Sequence, residues 1–190
     1  MGAVLRYRRI TLKPLTDLDQ AAWRRLHAHF RDPEIAHLNG TLPGRLPLWL
    51  LRLLLKADSR RPDRAIYGIF DEAGAYIGTV ELYDIGSQRA TLGIIIGEKS
   101  HWGRGYGPEA IAAILQHAFE TMRLERVVLS TFGDNLRAQA AFKKAGFTEL
   151  RRLSHRQGRI SVQMELTATE WRQSHPPVAL PVLSVPSSHE

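Results

Sequence analysis

The sequence predicts a single α+β domain, a sheet of mixed strands with helices on both faces. Three observations predict it. β-branched runs such as Ile94-Ile95-Ile96 and Val127-Val128 alternate along the chain with stretches whose apolar residues recur at helical spacing. A length of 190 residues suits one domain with enough chain to bury a good core. Hydrophobic residues at 44% and charged residues at 24% are the proportions of an ordinary globular protein.

Taken in order, residues 7–14 read as a strand. Asp17 offers a cap for a helix over 17–31, in which Ala22, Leu26 and Phe30 share a face. Residues 32–46 read as irregular, with a Pro-Gly turn at 43–44, and 47–57 as a strongly apolar helix. A basic turn at 58–64 leads to a hairpin pair, 65–71 and 75–85, around Glu72-Ala73-Gly74. The next strand is 89–97. A helix over 108–123 follows, with Pro108 at its first position, where the missing N–H costs nothing, and Glu109 in its first turn. Ile111, Ile114, Leu115, Ala118, Phe119 and Met122 form its apolar stripe. A strand at 126–132 precedes a helix at 135–145 that Asp134 or Asn135 can cap and Gly146 can end. Strands at 147–153 and 160–167, around Gln157-Gly158, complete the sheet. From Gln173 onward the chain turns to Pro, Ser and Val, which predicts an extended appendage. The domain is therefore placed at 1–172 and the tail at 173–190.

The stretch from Gly93 to Gly107, Gly-Ile-Ile-Ile-Gly-Glu-Lys-Ser-His-Trp-Gly-Arg-Gly-Tyr-Gly, carries the strongest functional signal. An apolar run enters a glycine-rich loop, and the loop opens a helix. Glycines bring bare N–H groups close to a ligand, and a helix N-terminus adds unpaired donors and partial positive charge. A phosphate or pyrophosphate suits such a site, although glycine-rich turns also occur without ligands. A P-loop does not fit, because no Lys-Ser or Lys-Thr follows the last glycine. The dinucleotide fingerprint starts at Gly103 and Gly105, but its third glycine falls on Pro108, and Glu125 precedes the next strand where an acidic residue should end it.

A second block extends the first: the strand 126–132, then Gly133-Asp134-Asn135, then a helix closing on Lys143-Lys144-Ala145-Gly146-Phe147. Together the two blocks resemble the GCN5-related N-acetyltransferase (GNAT) superfamily, over roughly residues 7–167. The segments 9–19 and 32–38, with Trp-Gly-Arg-Gly-Tyr-Gly before Pro-Glu-Ala, resemble the bacterial branch that includes the Rim-type ribosomal-protein N-terminal acetyltransferases and the polyamine acetyltransferases. The resemblance implies a mixed, mostly antiparallel central sheet, acetyl-CoA as co-substrate and donor, and a primary amine as acceptor. A protein N-terminus is the acceptor expected first, with a small amine (polyamine, aminoglycoside or amino acid) as the alternative. A non-catalytic acetyl-CoA-binding or sensing module is the reading from another class. The branch includes dimers, so a homodimer is also expected.

Other classes are set aside on simpler grounds. Zero cysteines exclude a thiol nucleophile and thiolate metal sites, and the eight histidines form no ligand cluster, so no metal is expected. No apolar run reaches the length of a membrane span, and Arg6, Arg8 and Arg9 are followed by no signal core, which makes the cytoplasm the default location. The net charge of +7 comes from scattered basic pairs without a recognition motif, so direct nucleic-acid binding is not expected. A positive field would instead aid capture of polyanionic CoA.

What the resemblance implies for individual residues completes the expectation. Trp102, Gly103, Arg104, Gly105, Tyr106 and Gly107 should bind the pyrophosphate through backbone N–H groups. Ile94, Ile95 and Ile96 should pair their backbone with the pantetheine arm, one of them serving as oxyanion donor. Asn135 should contact the pantetheine or the acceptor side, besides capping its helix. Phe142 stands where many relatives carry a tyrosine able to protonate the leaving thiolate, and phenylalanine cannot do so; water, or another hydroxyl such as Ser130 or Thr131, is the substitute. For the base, alternation along 76–85 puts Val80 and Leu82 on one face and Glu81 and Tyr83 on the other. Glu81 is therefore the candidate base, or else a surface residue paired with Arg89. Asp84 and His155 are weaker acceptor-site candidates.

Overall fold

The computed structural model describes residues 3–154 and 158–175. Eight strands form one sheet in the order β1-β2-β3-β4-β5-β6-β8-β7. They are β1 (Leu5–Tyr7), β2 (Ile10–Pro14), β3 (Ala65–Phe70), β4 (Tyr76–Tyr83), β5 (Arg89–Ile96), β6 (Arg126–Phe132), β7 (Thr148–Ser154) and β8 (Ile160–Thr167). Every neighbouring pair is antiparallel except β5 and β6, which run parallel. Six α-helices accompany them: α1 (Gln20–Arg31), α2 (Pro33–Leu38), α3 (Leu48–Asp58), α4 (Tyr106–Gln116), α5 (Leu136–Lys144) and α6 (Ala168–Ser174).

Two apolar layers hold the sheet. On one face α4 and the π turn that follows it in place of a continuous helix to 123, His117–Thr121, pack the stripe against the strands, with Ile111, Ile114, Leu115, Ala118 and Phe119 fully buried beside Ile69, Leu82, Val127 and Met164. On the other, Trp23 and Leu26 of α1 and Leu51 of α3 meet Ile66, Phe70 and Tyr76. The expected apolar stripe and the expected helices on both faces are thus both present.

Several local expectations change. Residues 7–14 are a hairpin, not one strand: Arg8 takes a left-handed φ of 48° and turns β1 into β2. A short 3₁₀ turn occupies Leu15–Asp17, so the cap of α1 is Asp19, whose side chain accepts from the Ala22 N–H at 2.7 Å. The segment expected to be irregular contains α2, begun by Pro33 and capped by Asp32, which accepts from the N–H groups of Glu34 and Ile35. The loop's helix starts at Tyr106, so Pro108 sits two residues inside it, still in the first turn where no N–H bond is lost. Asn135 rather than Asp134 caps α5. A capping box of Thr167 and Glu170 starts α6, a helix that crosses the expected domain boundary at 172. The tail from 176 to 190, together with His155 and Gln157, lies outside the described residues. No helix among the described residues is long and apolar enough to cross a membrane.

Candidate active site

The sheet opens where β5 meets β6. Their parallel pairing runs from Arg89↔Arg126 to Thr91↔Val128 and stops, although both strands continue. Beyond Thr91 the β5 edge faces a cavity of about 1180 Å³ instead of a strand. An extended ligand can use that edge as a strand would. Ile94, Ile95 and Ile96 all line the cavity, while on its other edge β5 is paired with β4.

The glycine loop closes one end. Gly103 (φ 73°) and Gly105 (φ 90°) both take the left-handed conformation, and no atom approaches the position of a Cβ at Gly103. Gly105 stands at the N-cap of α4, and the Glu109 N–H is bonded back to the Gly105 carbonyl at 3.2 Å. The N–H groups of Tyr106 and Gly107 precede that first helical bond and have no acceptor within the helix. This is an anion cradle of backbone donors at a helix N-terminus. Trp102, Gly103, Arg104, Gly105 and Gly107 line the cavity.

Tyr106 departs from the expectation. Its side chain is buried behind the loop, its hydroxyl donating to both Glu72 carboxylate oxygens at 2.9 Å, so only its backbone can serve the cradle. It belongs to a clamp that holds the loop from below. The Arg9 guanidinium donates to Glu109 at 2.7 Å and to the Arg104 carbonyl at 3.0 Å, and lies 4.5 Å over the Tyr106 ring. His101 bonds Asp71 at 3.0 Å. From the cavity side, the Trp102 indole N–H donates to the Ile96 carbonyl at 2.7 Å while Arg137 of α5 stacks 3.5 Å over its ring.

Glu81 enters from β4. Val80 and Leu82 are buried, and Glu81 and Tyr83 point to the cavity, as the alternation predicts. Glu81 pairs in register with Gly93 of β5. Its carboxylate lies over that glycine: a Cβ there would stand 3.2 Å from Glu81 Oε1 and 3.5 Å from the Tyr83 ring. The partner of Glu81 is Arg64, at 2.8 Å, and not Arg89. Arg64 arrives immediately ahead of β3, whose Ala65 pairs with Leu82, whereas Arg89 sits at the far end of β5. Burial pushes the Glu81 carboxyl above the ordinary glutamate range, and the nearby Arg64 charge only partly offsets it. A partly desolvated carboxylate of raised basicity is suited to taking a proton from an ammonium.

The far side completes the cavity. Asn135 accepts the Ala138 N–H through its Oδ1 at 3.2 Å, which leaves its amide NH₂ free for the cavity it lines. Phe142 is buried, lines the cavity and meets Phe147 edge-on. Ser130 and Thr131 also line it, the Ser130 hydroxyl lying 2.6 Å from that of Ser161. Asp84 is not among the lining residues.

Sequence reasoning missed four residues here: Arg9, Arg64, Arg137 and His29. Arg9 and Arg64 lie in segments read as generically basic and Arg137 in the helix 135–145, and only tertiary pairing distinguishes them. His29 lines the cavity, stacks on Tyr76 at 5.6 Å, and burial lowers its pKa. Its place in the 17–31 helix was predicted, but the exposure of its face to a cavity carried no sequence signal.

Comparison with known proteins follows this geometry. The acetyltransferase (GNAT) domain family matches residues 9–148. The probable N-acetyltransferase YjcK of Bacillus subtilis is 33% identical over 85 residues, 43% of this chain and 46% of that protein, so the chain spans about half the length of the curated relative it matches. Among solved structures, a spermidine N-acetyltransferase from Vibrio cholerae in complex with CoA and spermine superposes with a TM-score of 0.77 at 20% identity, over 86% of this chain and 98% of that one. A GNAT-family acetyltransferase from Bacillus anthracis gives 0.73 at 12% identity, over 88% and 99%. These likenesses establish the α+β fold with its mostly antiparallel sheet.

Proposed function

Because the chain belongs to the acetyltransferase (GNAT) domain family, we propose that it transfers the acetyl group of acetyl-CoA directly to a primary amine. One observation carries the reading: a single cavity joins the anion cradle at Gly103–Gly107, the unpaired β5 edge and the carboxylate of Glu81. The cradle takes the CoA pyrophosphate, aided by Arg104 and by Arg137. The pantetheine arm lies along Ile94–Ile96, where a backbone N–H supports the carbonyl oxygen as it gains charge. Glu81 accepts the ammonium proton, directly or through a water. The freed amine attacks the thioester carbon, the C–N bond forms, the nitrogen gives up a further proton to solvent, the C–S bond breaks, and CoA leaves as a thiolate. Holding both reactants in one cleft supplies much of the rate. The Ser130 hydroxyl, in contact with Ser161, or solvent returns a proton to the thiolate in place of the tyrosine that Phe142 replaces.

A small amine is better supported as acceptor than the protein N-terminus expected first from the sequence. The similar Vibrio cholerae enzyme was solved with spermine, and nothing in the comparisons singles out the Rim-type branch. The homodimer rests on the sequence resemblance alone. Release of free CoA thiol from acetyl-CoA, followed across a panel of small amines and N-terminal peptides, tests the reading. Amine-dependent release with a matching acetylated product is expected. A well-folded protein that binds acetyl-CoA and acetylates no member of the panel would leave the non-catalytic sensing module as the better account.

A further inference from the structure

The acceptor end of the cavity is walled by α1, α2 and the segment after α2. Phe30, Ile35, Leu38 and Leu42 face it, with Tyr76 and Tyr83 on the sheet side. Among the described residues that line the cavity, Glu81 is the single carboxylate, and it is already bonded to Arg64. Off the wall, Glu98 lies close enough for its charge to act on His29 and its side chain meets the Ser100 hydroxyl, while other carboxylates are held by cations. Asp32 and Glu34 both hold Lys99, at 2.9 and 2.7 Å. Asp58 pairs with Arg64 and Arg61, and Asp134 with Arg159 at 2.8 Å. The other charged groups on the wall, Arg64, Arg104, Arg137 and Lys144, are cations.

A polyamine brings two or more ammonium groups into such a site. One can be deprotonated by Glu81. Arg104 and Arg137 belong to the cofactor end and Arg64 is already paired, so each other ammonium must leave water with no second carboxylate on the wall to receive it, which is unfavourable. An amine with one charge and an apolar body loses nothing comparable, and its body gains contact with Phe30, Leu38 and Tyr83. On these grounds, and given the acetyl transfer proposed above, we propose that the acceptor is a monoamine with an apolar body, an arylalkyl- or alkylamine, and not a polyamine.

Two readouts test this separately from the transfer itself. Binding of phenethylamine and of spermidine to the protein–CoA complex is measured by calorimetry at matched pH and ionic strength, and kcat/KM is measured for both with acetyl-CoA. Phenethylamine is expected to bind and turn over about tenfold better or more. Spermidine binding as tightly, or turning over as fast, overturns the selectivity while leaving acetyl transfer intact; absence of phenethylamine binding overturns it too. Phenethylamine binding without acetylation supports the selectivity and counts against transfer. Leu42→Glu, at an exposed rim position, returns a free carboxylate and is expected to narrow the gap several-fold. A gap that does not move argues against charge as the discriminator.

Discussion

The Arg64 guanidinium stands 2.8 Å from the Glu81 carboxylate and reaches Asp58 at 3.2 Å with its other edge. Arg64 is therefore anchored outside the cavity by Asp58 and holds Glu81 from behind. The pairing limits the rotamers Glu81 can adopt over Gly93. It also opposes the effect of burial on the Glu81 charge.

Glu81→Gln is expected to lower kcat by about a hundredfold or more, in the range of a lost general base, while acetyl-CoA affinity stays within about twofold. The pH profile gives an independent check. As a base, Glu81 works only when ionised, so kcat/KM should fall as pH drops through a pKa above the ordinary glutamate value. Arg64→Gln removes the opposing cation, raises that pKa further and shifts the acid limb toward neutral pH. Glu81→Gln removes the limb. The stability sign agrees: a raised carboxyl pKa favours the folded state below the unfolded value, and this contribution is lost as pH rises through the folded one. Glu81→Gln should therefore not lower Tm at neutral pH, and an unshifted acid limb in Arg64→Gln would contradict the assignment.

Gly93→Ala adds a methyl 3.2 Å from Glu81 Cγ and Oε1. The carboxylate must move by a few tenths of an ångström, away from the β5 edge. Catalytic groups displaced on that scale cost rate more than binding. The expected result is a kcat lowered about tenfold, with the KM for acetyl-CoA nearly unchanged. An equal rise in KM would place the damage in the cofactor groove instead.

What the sequence made legible follows the strength of each local signal. The bounds of β6 and β8 match the residues themselves, β6 as a mostly apolar run and β8 as an alternation of Ile160, Val162, Met164 and Leu166 with polar residues. The stripe through α4 and the π turn after it spans about three turns and admits no other reading. The Glu81 face was legible because alternation flanks it on both sides. By contrast α2 has six residues, too few for periodicity, and its Asp32-Pro33 start reads equally as a turn. The hairpin at Arg8 lacks the glycine that normally marks a left-handed turn. Arg64 in place of Arg89 is a matter of register between strands, and the burial of Tyr106 depends on Glu72, from a different hairpin. Neither is written in local sequence.

Arg9 does not itself line the cavity, yet it ties together Glu109, the Arg104 carbonyl and the Tyr106 ring behind the loop. Arg9→Met keeps the apolar stem and removes all three interactions. Its effect should appear as loss of preorganisation in the cradle, with acetyl-CoA binding about fivefold weaker and kcat at saturation little changed. Because the side chain is partly exposed, the global Tm should fall only slightly. A large Tm loss with unaltered affinity would make the clamp a stability device and nothing more.

Phe142 offers a gain-of-function test. Its ring is buried against Phe147 with centroids 6.0 Å apart, and it forms part of the cavity lining. Phe142→Tyr adds one hydroxyl to the cavity lining, beside the departing CoA thiolate of the proposed transfer. A donor there competes with solvent for protonating the thiolate, so kcat should rise by a few-fold, and the gain should be largest at high pH, where solvent protons are scarce. The opposing outcome has its own signature. If the hydroxyl meets only apolar neighbours, it is buried unsatisfied, kcat stays flat and the protein loses about 1–3 kcal/mol of stability. Measuring kcat against pH together with Tm separates the two, and a flat kcat with unchanged Tm would mean the hydroxyl reaches solvent away from the reacting atoms.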